Sequence, residues 1–286
     1  MLIGIGDSVL PATVQTRHLP NAEVSSPIYS SVLAIHFSAR VENSTAGFTL
    51  SLADQQALAD RERVILSNGG GDTIEIALVT DFPDHVPDPL PGLPQIVRGS
   101  NPFGIALAGD SLYVTDGGRN LVWAVDLPTG THSSLATFAQ INNPLFPVGL
   151  AMIDAVPTGI TYADGHLLVT LFRGVPFAAG TSTVVQIDPA NGLQIPLITG
   201  LKTAIGVLQV GGPRDPGHLV LQHSSGFAPF FGGPGVVLAF ETPGSAPSPI
   251  VNCLIRPTAM LFHEPSGTLY VTEMLSGRLV AFQLGH

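Results

Sequence analysis

The chain has 286 residues, 45% of them hydrophobic and 11% charged, with 32 glycines and 25 prolines; this is enough apolar mass for a large core and too many breakers for long helices. A formal net charge of −10, with Lys202 as the only lysine beside ten arginines, leaves no basic surface to neutralise a run of phosphates and excludes nucleic acid as a partner. No stretch approaches the roughly 18 apolar residues of a membrane span, and the single cysteine, Cys253, excludes an intramolecular disulfide or a cysteine zinc site.

The N-terminal "MLIGIGDSVLPATVQTRH" lacks the positive start and the uninterrupted apolar run of a signal peptide. The chain is therefore expected to be cytoplasmic or to have lost an export signal upstream. Within it, "IGIGDSVL" (3–10) carries the Gly-Asp-Ser block of GDSL-type hydrolases, with Ser8 in the place of the nucleophile. That chemistry needs an Asp-x-x-His near the C-terminus to activate the serine. The chain ends "SGRLVAFQLGH", without one, so Ser8 reads as a hairpin-turn residue. Next come a strand in "SSVLAIHFSARV" (30–41), one helical segment in "LADQQALAD" (52–60), and a strand–turn–strand in "RVILSNGGGDTIEIALVTDF" (63–82).

From residue 101 the chain repeats one plan: a turn, a short apolar strand, a tight turn and a second strand. The copies are "NPFGIALAGDSLYVTDGGRNLVWAVD" (101–126), "VPTGITYADGHLLVTLFRGVPFAAGTSTVVQID" (156–188), a looser one over 202–241, and "RPTAMLFHEPSGTLYVTEMLSGRLVAFQ" (256–283). The Pro or Thr that opens each copy stands at 102, 157, 203 and 257, a period of about 50 residues, as in propeller blades. Third strands end near Asp126, Asp188 and Glu241, and fourth strands follow in "SSLATF" and "QIPLIT". Four antiparallel strands make a blade, and a blade covers its two faces only by packing on neighbours in a closed ring. The expected fold is all-β: one β-propeller domain over 1–286, of five blades on the strands that can be named or six by length. Residues 1–24 would form a closing strand or outer hairpin, 25–98 a divergent first blade whose outer half is 63–82, and 101–286 four clearer repeats. The last copy stops after its third strand, so the N-terminal strand is expected to complete it and close the ring.

Taken together, "SNPFGIAL", "LYVTDGGRNLVWAVD", "AVPTGI", "FRGVPFAAGTSTVVQID" and "GTLYVTEMLSGRLV" resemble the ScyD/ScyE family, NHL-like propeller proteins named after scytonemin-biosynthesis proteins of cyanobacteria. The likeness covers about residues 63–286, and the pair "VPTGI" and "PFAAG" is its most specific part. It implies a six-bladed propeller, usually exported and so secreted or periplasmic, connected with secondary metabolism and without established catalytic residues.

The fold directs attention to the turns before each first strand and the ends of each second strand, which converge on one mouth of a propeller. The first column reads Asn101, Val156, Lys202 and Arg256; the second reads Asp116, Leu171, Gln222 and Glu273. Calcium-dependent propeller lactonases point such Asn, Asp and Glu oxygens at one ion, and Ca²⁺ takes six to eight oxygen ligands. One Asn and two carboxylates leave calcium an open possibility only. Asp116 and Glu273 would otherwise be an acid–base pair, or would serve the fold, Asp116 on the backbone of "GGRN" and Glu273 against Arg278. His223 in "QHSSG" sits beside two hydroxyls, a neighbourhood for a base and a nucleophile. Arg173 and Arg256 would hold a carboxylate or phenolate if they reach the mouth. The insertions "INNPLFPVGLAM" (141–152), "FRGVPFAAG" (172–180) and "SGFAPFFGGPG" (225–235) bring Phe146, Phe172, Phe177, Phe227, Phe230 and Phe231. These either cap the blades or offer a rim to a small apolar or aromatic molecule or a protein segment. Two functions follow: a ligand- or partner-binding propeller, or an enzyme acting as a metal-assisted hydrolase or lactonase or on an aromatic metabolite. Cys253, within the apolar "PIVNCLIRP", is expected to be a buried, inert thiol.

Overall fold

A computed structural model describes residues 2–4, 15–16, 26–39, 41, 47–89, 94, 96–211 and 217–284. Ser8 and most of residues 1–24, expected to form a closing strand or outer hairpin, lie outside the described residues. The chain divides into two compact units, Met1–Phe103 with Val125–Ser133, and Gly104–Ala124 with Ser134–His286.

The first unit carries β1 (Leu2–Gly4), β2 (Gln15–Thr16), β3 (Ser31–Phe37), α1 (Leu52–Ala59), β4 (Val64–Ser67), β5 (Thr73–Asp81), β6 (His85–Pro87) and β7 (Ile96–Gly99). One sheet has the order β1-β3-β5-β4 and a smaller one the order β2-β7-β6, in which β2 runs parallel to β7. The helix sits where "SLAD" supplies a capping box. The Ser51 hydroxyl accepts from the N–H of Asp54, whose carboxylate accepts from the N–H of Ser51, so two orphan donors are satisfied at once. Ile28, Leu33, Leu58, Val64, Ile74 and Ile76 form the core of this part.

The repeats follow. A sheet of β8 (Pro102–Ala108), β9 (Ser111–Asp116), β10 (Leu121–Asp126) and β11 (His132–Thr137) is succeeded by a short ladder of β12 (Ile141–Asn142) and β13 (Met152–Ile153). Then come β14 (Pro157–Ala163), β15 (His166–Leu171), β16 (Ser182–Ile187) and β17 (Gln194–Leu201), followed by β18 (Ala204–Val210), β19 (Gly217–Gln222), β20 (Gly235–Phe240) and β21 (Ser248–Leu254). The last sheet is β22 (Pro257–His263), β23 (Thr268–Glu273) and β24 (Arg278–Gln283). These sheets meander antiparallel in chain order. With the β1-β3-β5-β4 sheet they make five sheets of β-propeller blade type among the described residues, the number that the nameable strands predict, where length suggests six.

In the second unit successive blades pack through their inner strands, the second strand β9 on the first strand β14, and then first strand on first strand, β14 on β18 and β18 on β22. Leu167, Val169, Val184, Ile198, Val220, Leu221, Leu269 and Val271 are buried between them. The close approach depends on small residues. A Cβ on Gly159 would lie 2.5 Å from the carbonyl oxygen of Ile205, and one on Gly104 would lie 2.6 Å from that of Thr158. Threonines of the second strands lock the entry to the first. The Thr115 hydroxyl accepts from the N–H of Gly104 and donates to the carbonyl of Thr158, and the Thr272 hydroxyl accepts from the N–H of Ala259.

Register corrects the sequence reading at three places. In each of three repeats the pairing opens with one pair, Pro157↔Leu171, Ala204↔Gln222 or Pro257↔Glu273, and then slips by a bulge. The residue before that pair is left-handed at φ 51° in Val156, 43° in Thr203 and 51° in Arg256. Thr203, not Lys202, therefore stands in the first column. The same signature recurs in the first unit: Ser30 has φ 51°, Ser31 pairs with Asp81, and a bulge follows. In all four the carbonyl of the left-handed residue accepts from the N–H just beyond the column, Phe82, Phe172, His223 or Met274. "LVTDF" (78–82) is thus a second strand paired directly with its first, and not an outer blade half; α1 and β4 are inserted before it. Third, the last sheet has three strands among the described residues, and β1 and β2 pair with β3 and β7. A closing strand beside β24 is not among the described pairings.

Candidate functional site

The second-strand column reads Asp81, Asp116, Leu171, Gln222 and Glu273, and its polar members are largely occupied by the backbone. Oε1 of Glu273 accepts the N–H of Ile255 at 2.7 Å and Oε2 accepts the Ser276 hydroxyl at 2.7 Å. These bonds hold its carboxyl below the ordinary value; Arg278, opposite it in register, adds only a weaker pull. Gln222 does the same, its Oε1 accepting the N–H of Lys202 at 2.7 Å. Asp116 is fully buried; one oxygen takes the N–H of Arg119 at 3.0 Å and the other the indole N–H of Trp123 at 3.2 Å, while the Arg119 guanidinium lies over the Trp123 ring. Asn101 is exposed at the entry to β8, in the other unit. Among the described residues no three His, Cys, Asp or Glu side chains converge as a metal site would require.

Asp81 is the member that the sequence reading missed. Its carboxyl, on the exposed end of β5, is pushed up to about 6, first by partial desolvation and then by Asp84, with Arg61 pulling the other way. Burial raises Asp84 as well. The signal was present in the tripeptide "VTD", which occurs at 79–81 and again at 114–116.

The three insertions assemble in the second unit. The N–H of Phe230 donates to the carbonyl of Pro176 at 2.7 Å, and Gly149 lies against Val175 and Pro176. Phe177 stacks on Phe231 with ring centres 4.4 Å apart and planes 14° from parallel. Phe172 and His223 meet Phe231 edge-on at 6.2 and 4.9 Å. Arg256 lies over the Phe231 ring and donates to the carbonyls of Phe231 and Gly233 at 2.5 and 2.9 Å. Lys202, only 3% exposed, donates through Nζ to the carbonyls of Gly226 and Ala228. Both outcomes expected of the phenylalanines therefore occur: Phe172, Phe177 and Phe231 knit the loops together, and Phe146, Phe227 and Phe230 face outward, at 62%, 92% and 51% exposure.

Arg173 does not reach outward. It is buried and donates to the carbonyl of Thr181 and the hydroxyl of Thr183 at 3.0 and 3.3 Å. His223 is no base for its neighbours: Nδ1 meets the carbonyl of Pro257 at 3.0 Å, Ser224 bonds to Thr203, Ser225 bonds to Pro234, and burial lowers the imidazole below its ordinary value. Cys253 is exposed rather than buried. It lies at φ 61° on the outer strand β21, where only Val251 and Leu254 turn to the core. Beside the loops, β17, β20 and the turn after β20 enclose a cleft of about 730 Å³ whose lining includes Lys202, Gln222, Ser225 and Phe227.

No protein-family model matches the chain, and no curated protein matches it. Among solved structures, a chain from a nidogen/laminin complex is similar at 14% identity and a TM-score of 0.50, over 78% of this chain and 68% of that one. A gluconolactonase from Xanthomonas campestris is similar at 17% identity and a TM-score of 0.48, over 66% of this chain and 60% of that one. At these identities the likeness is one of fold. No helix among the described residues is long and apolar enough to cross a membrane.

Proposed function

We propose that the chain is a propeller-type binding protein of the ScyD/ScyE kind, connected with secondary metabolism, whose loop-bearing face takes a small apolar or aromatic molecule. The observation that carries this reading is the joint build of the three insertions. The first insertion rests on the second at Gly149 and Pro176, and the second and third are held by Arg256, Lys202 and the Phe177–Phe231 stack, yet Phe227 and Phe230 stay exposed, with Phe227 in the lining of the cleft. Arg173, Phe177 and Phe230 hold φ of 73°, 57° and 60°, a left-handed backbone that bulky residues rarely adopt. Such outliers concentrated in one loop set support a role in binding. A cleft of this volume is within the range of small-molecule sites. Binding of a protein segment on the same face remains compatible with the fold, since one structural neighbour comes from a complex with a protein partner. The test is titration with neutral aromatics such as indole and 2-naphthol, followed by heat of binding. Saturable binding weakened about tenfold or more in Phe227→Ser, a loss expected when one buried aromatic contact is removed, supports the reading; no saturable heat from any of them sinks it.

A second reading, an enzyme acting on esters, lactones or an aromatic metabolite, draws on Asp81. A carboxyl poised near 6 beside a second raised carboxyl suits general acid–base work. It predicts turnover of a lactone panel that is abolished in Asp81→Asn; absence of turnover in the wild type removes it.

A further inference from the structure

The cleft beside the loops has a charge pattern that the chain as a whole does not. The protein carries 21 acidic residues against 11 basic ones, yet among the described residues lining this cleft the only charged side chain is Lys202. The rest is mostly apolar, with Leu197, Leu238, Phe227 and Phe240 among it. Lys202 has two acceptors for its three N–H donors, the carbonyls of Gly226 and Ala228, and no carboxylate partner among the described residues. Gln222, also in the lining, spends its Oε1 on the N–H of Lys202, and its amide donors have no protein acceptor among the described residues. The neighbouring cations follow the same rule: Arg173 and Arg256 bond to neutral oxygens only. Burial and the nearby Arg256 both push the Lys202 ammonium below its ordinary value, as uncompensated positive charge at a partly dry site does. An arriving anion would relieve that penalty, and the apolar walls would reward an aromatic body.

We propose that this cleft binds an aromatic carboxylate, with the Lys202 ammonium as its counter-charge and the Gln222 amide as a further donor. This deepens the binding reading above and rests on it. The pair of probes is 2-naphthoate and its neutral amide, 2-naphthamide, titrated at pH 7.5 into wild-type protein, Lys202→Met and Gln222→Glu. The expected result is naphthoate binding at least tenfold tighter than naphthamide in the wild type. In Lys202→Met that preference disappears, whatever the loosened loop costs both probes alike. Lys202 also ties down the 225–235 loop, so the second variant guards against a folding defect: Gln222→Glu keeps the acceptor for the Lys202 N–H, as Glu273 shows for Ile255, but places a carboxylate in the lining. It should lower naphthoate affinity at least tenfold more than it lowers naphthamide affinity. Equal binding of acid and amide to the wild type overturns the anion site and leaves the binding reading standing. A preference for the acid that survives both substitutions also overturns it. Binding of neither probe overturns it too, and the neutral panel above then decides separately on the loop face.

Discussion

Oε1 of Glu273 accepts the N–H of Ile255 at 2.7 Å, and one repeat earlier Oε1 of Gln222 accepts the N–H of Lys202 at the same distance. Both N–H groups belong to the residue two positions before a first strand, so the column position needs an acceptor of this length more than it needs a charge. Glu273→Gln should therefore cost less than about 1 kcal/mol at pH 7, whereas Glu273→Ala removes a hydrogen bond to a charged acceptor and should cost about 1–3 kcal/mol. The pH dependence carries a sign. The folded carboxyl lies below its ordinary 4.5, so its charge stabilises the fold above that pH and the contribution is lost as pH falls through the lower folded value. Urea unfolding at pH 7 and pH 3 should show the wild type losing more on acidification than Glu273→Gln; equal losses would contradict the assignment.

The same framework makes Gly159 irreplaceable for a reason of distance. An added Cβ would meet the carbonyl oxygen of Ile205 at 2.5 Å and the Cα of Gly206 at 2.7 Å, backbone atoms of the next blade that cannot swing aside. Gly159→Ala should destabilise by about 1–3 kcal/mol or more, as overpacking does. Gly244→Ala, with nothing within 4 Å of its Cβ, is the control and should be neutral. Thermal unfolding of the two variants decides the point.

The legible part of the fold was what recurs. Short strands at a fixed spacing, turns at "AGDS" and "ADGH" and the helix of 52–59 can be read because local propensity and tertiary structure agree there. The first blade was misread because α1 and β4 interrupt it between its paired strands β3 and β5, and an insertion breaks the periodicity on which the alignment relies. The one-residue error at Thr203 has a similar origin: the bulge after each first pair is a backbone event with no side-chain signature of its own. Candidate residues fared according to their partners. Loop aromatics could be expected to meet, since apolar insertions leaving successive blades must cover one another. That Arg173 turns inward to Thr181 and Thr183, and that Cys253 turns outward from an apolar stretch, depend on φ values of 73° and 61° which composition does not encode.

Asp81 provides a pH prediction of the opposite sense to that of Glu273. Its folded value of about 6 lies above the ordinary 3.8, so the fold holds this proton more tightly than the unfolded chain does. The stabilising contribution of the protonated form is complete below about 3.8 and is lost as pH rises through about 6. Carbon-detected titration of the aspartate carboxyls should find one midpoint near 6 that vanishes in Asp81→Asn. The variant should also lose the fall in thermal midpoint between pH 4 and pH 6.5 that this group contributes to the wild type. A midpoint near 4 for Asp81 would remove the physical basis of the enzymatic reading.

Arg256 holds the loop from its far side, through the carbonyls of Phe231 and Gly233 and the face of the Phe231 ring. Its own backbone is fixed independently, because its carbonyl accepts the N–H of Met274 at the open end of the β22–β23 hairpin. Arg256→Met should therefore keep the blade and loosen the loop. Hydrogen exchange of amides in 225–235 should accelerate about tenfold or more, the cost of losing two charge-assisted bonds that close a local unit. Amides of β22 and β23 should stay as protected as in the wild type. Acceleration spread through both strands would mean that the arginine supports the blade itself, and that the loop is held by the Phe177–Phe231 stack alone.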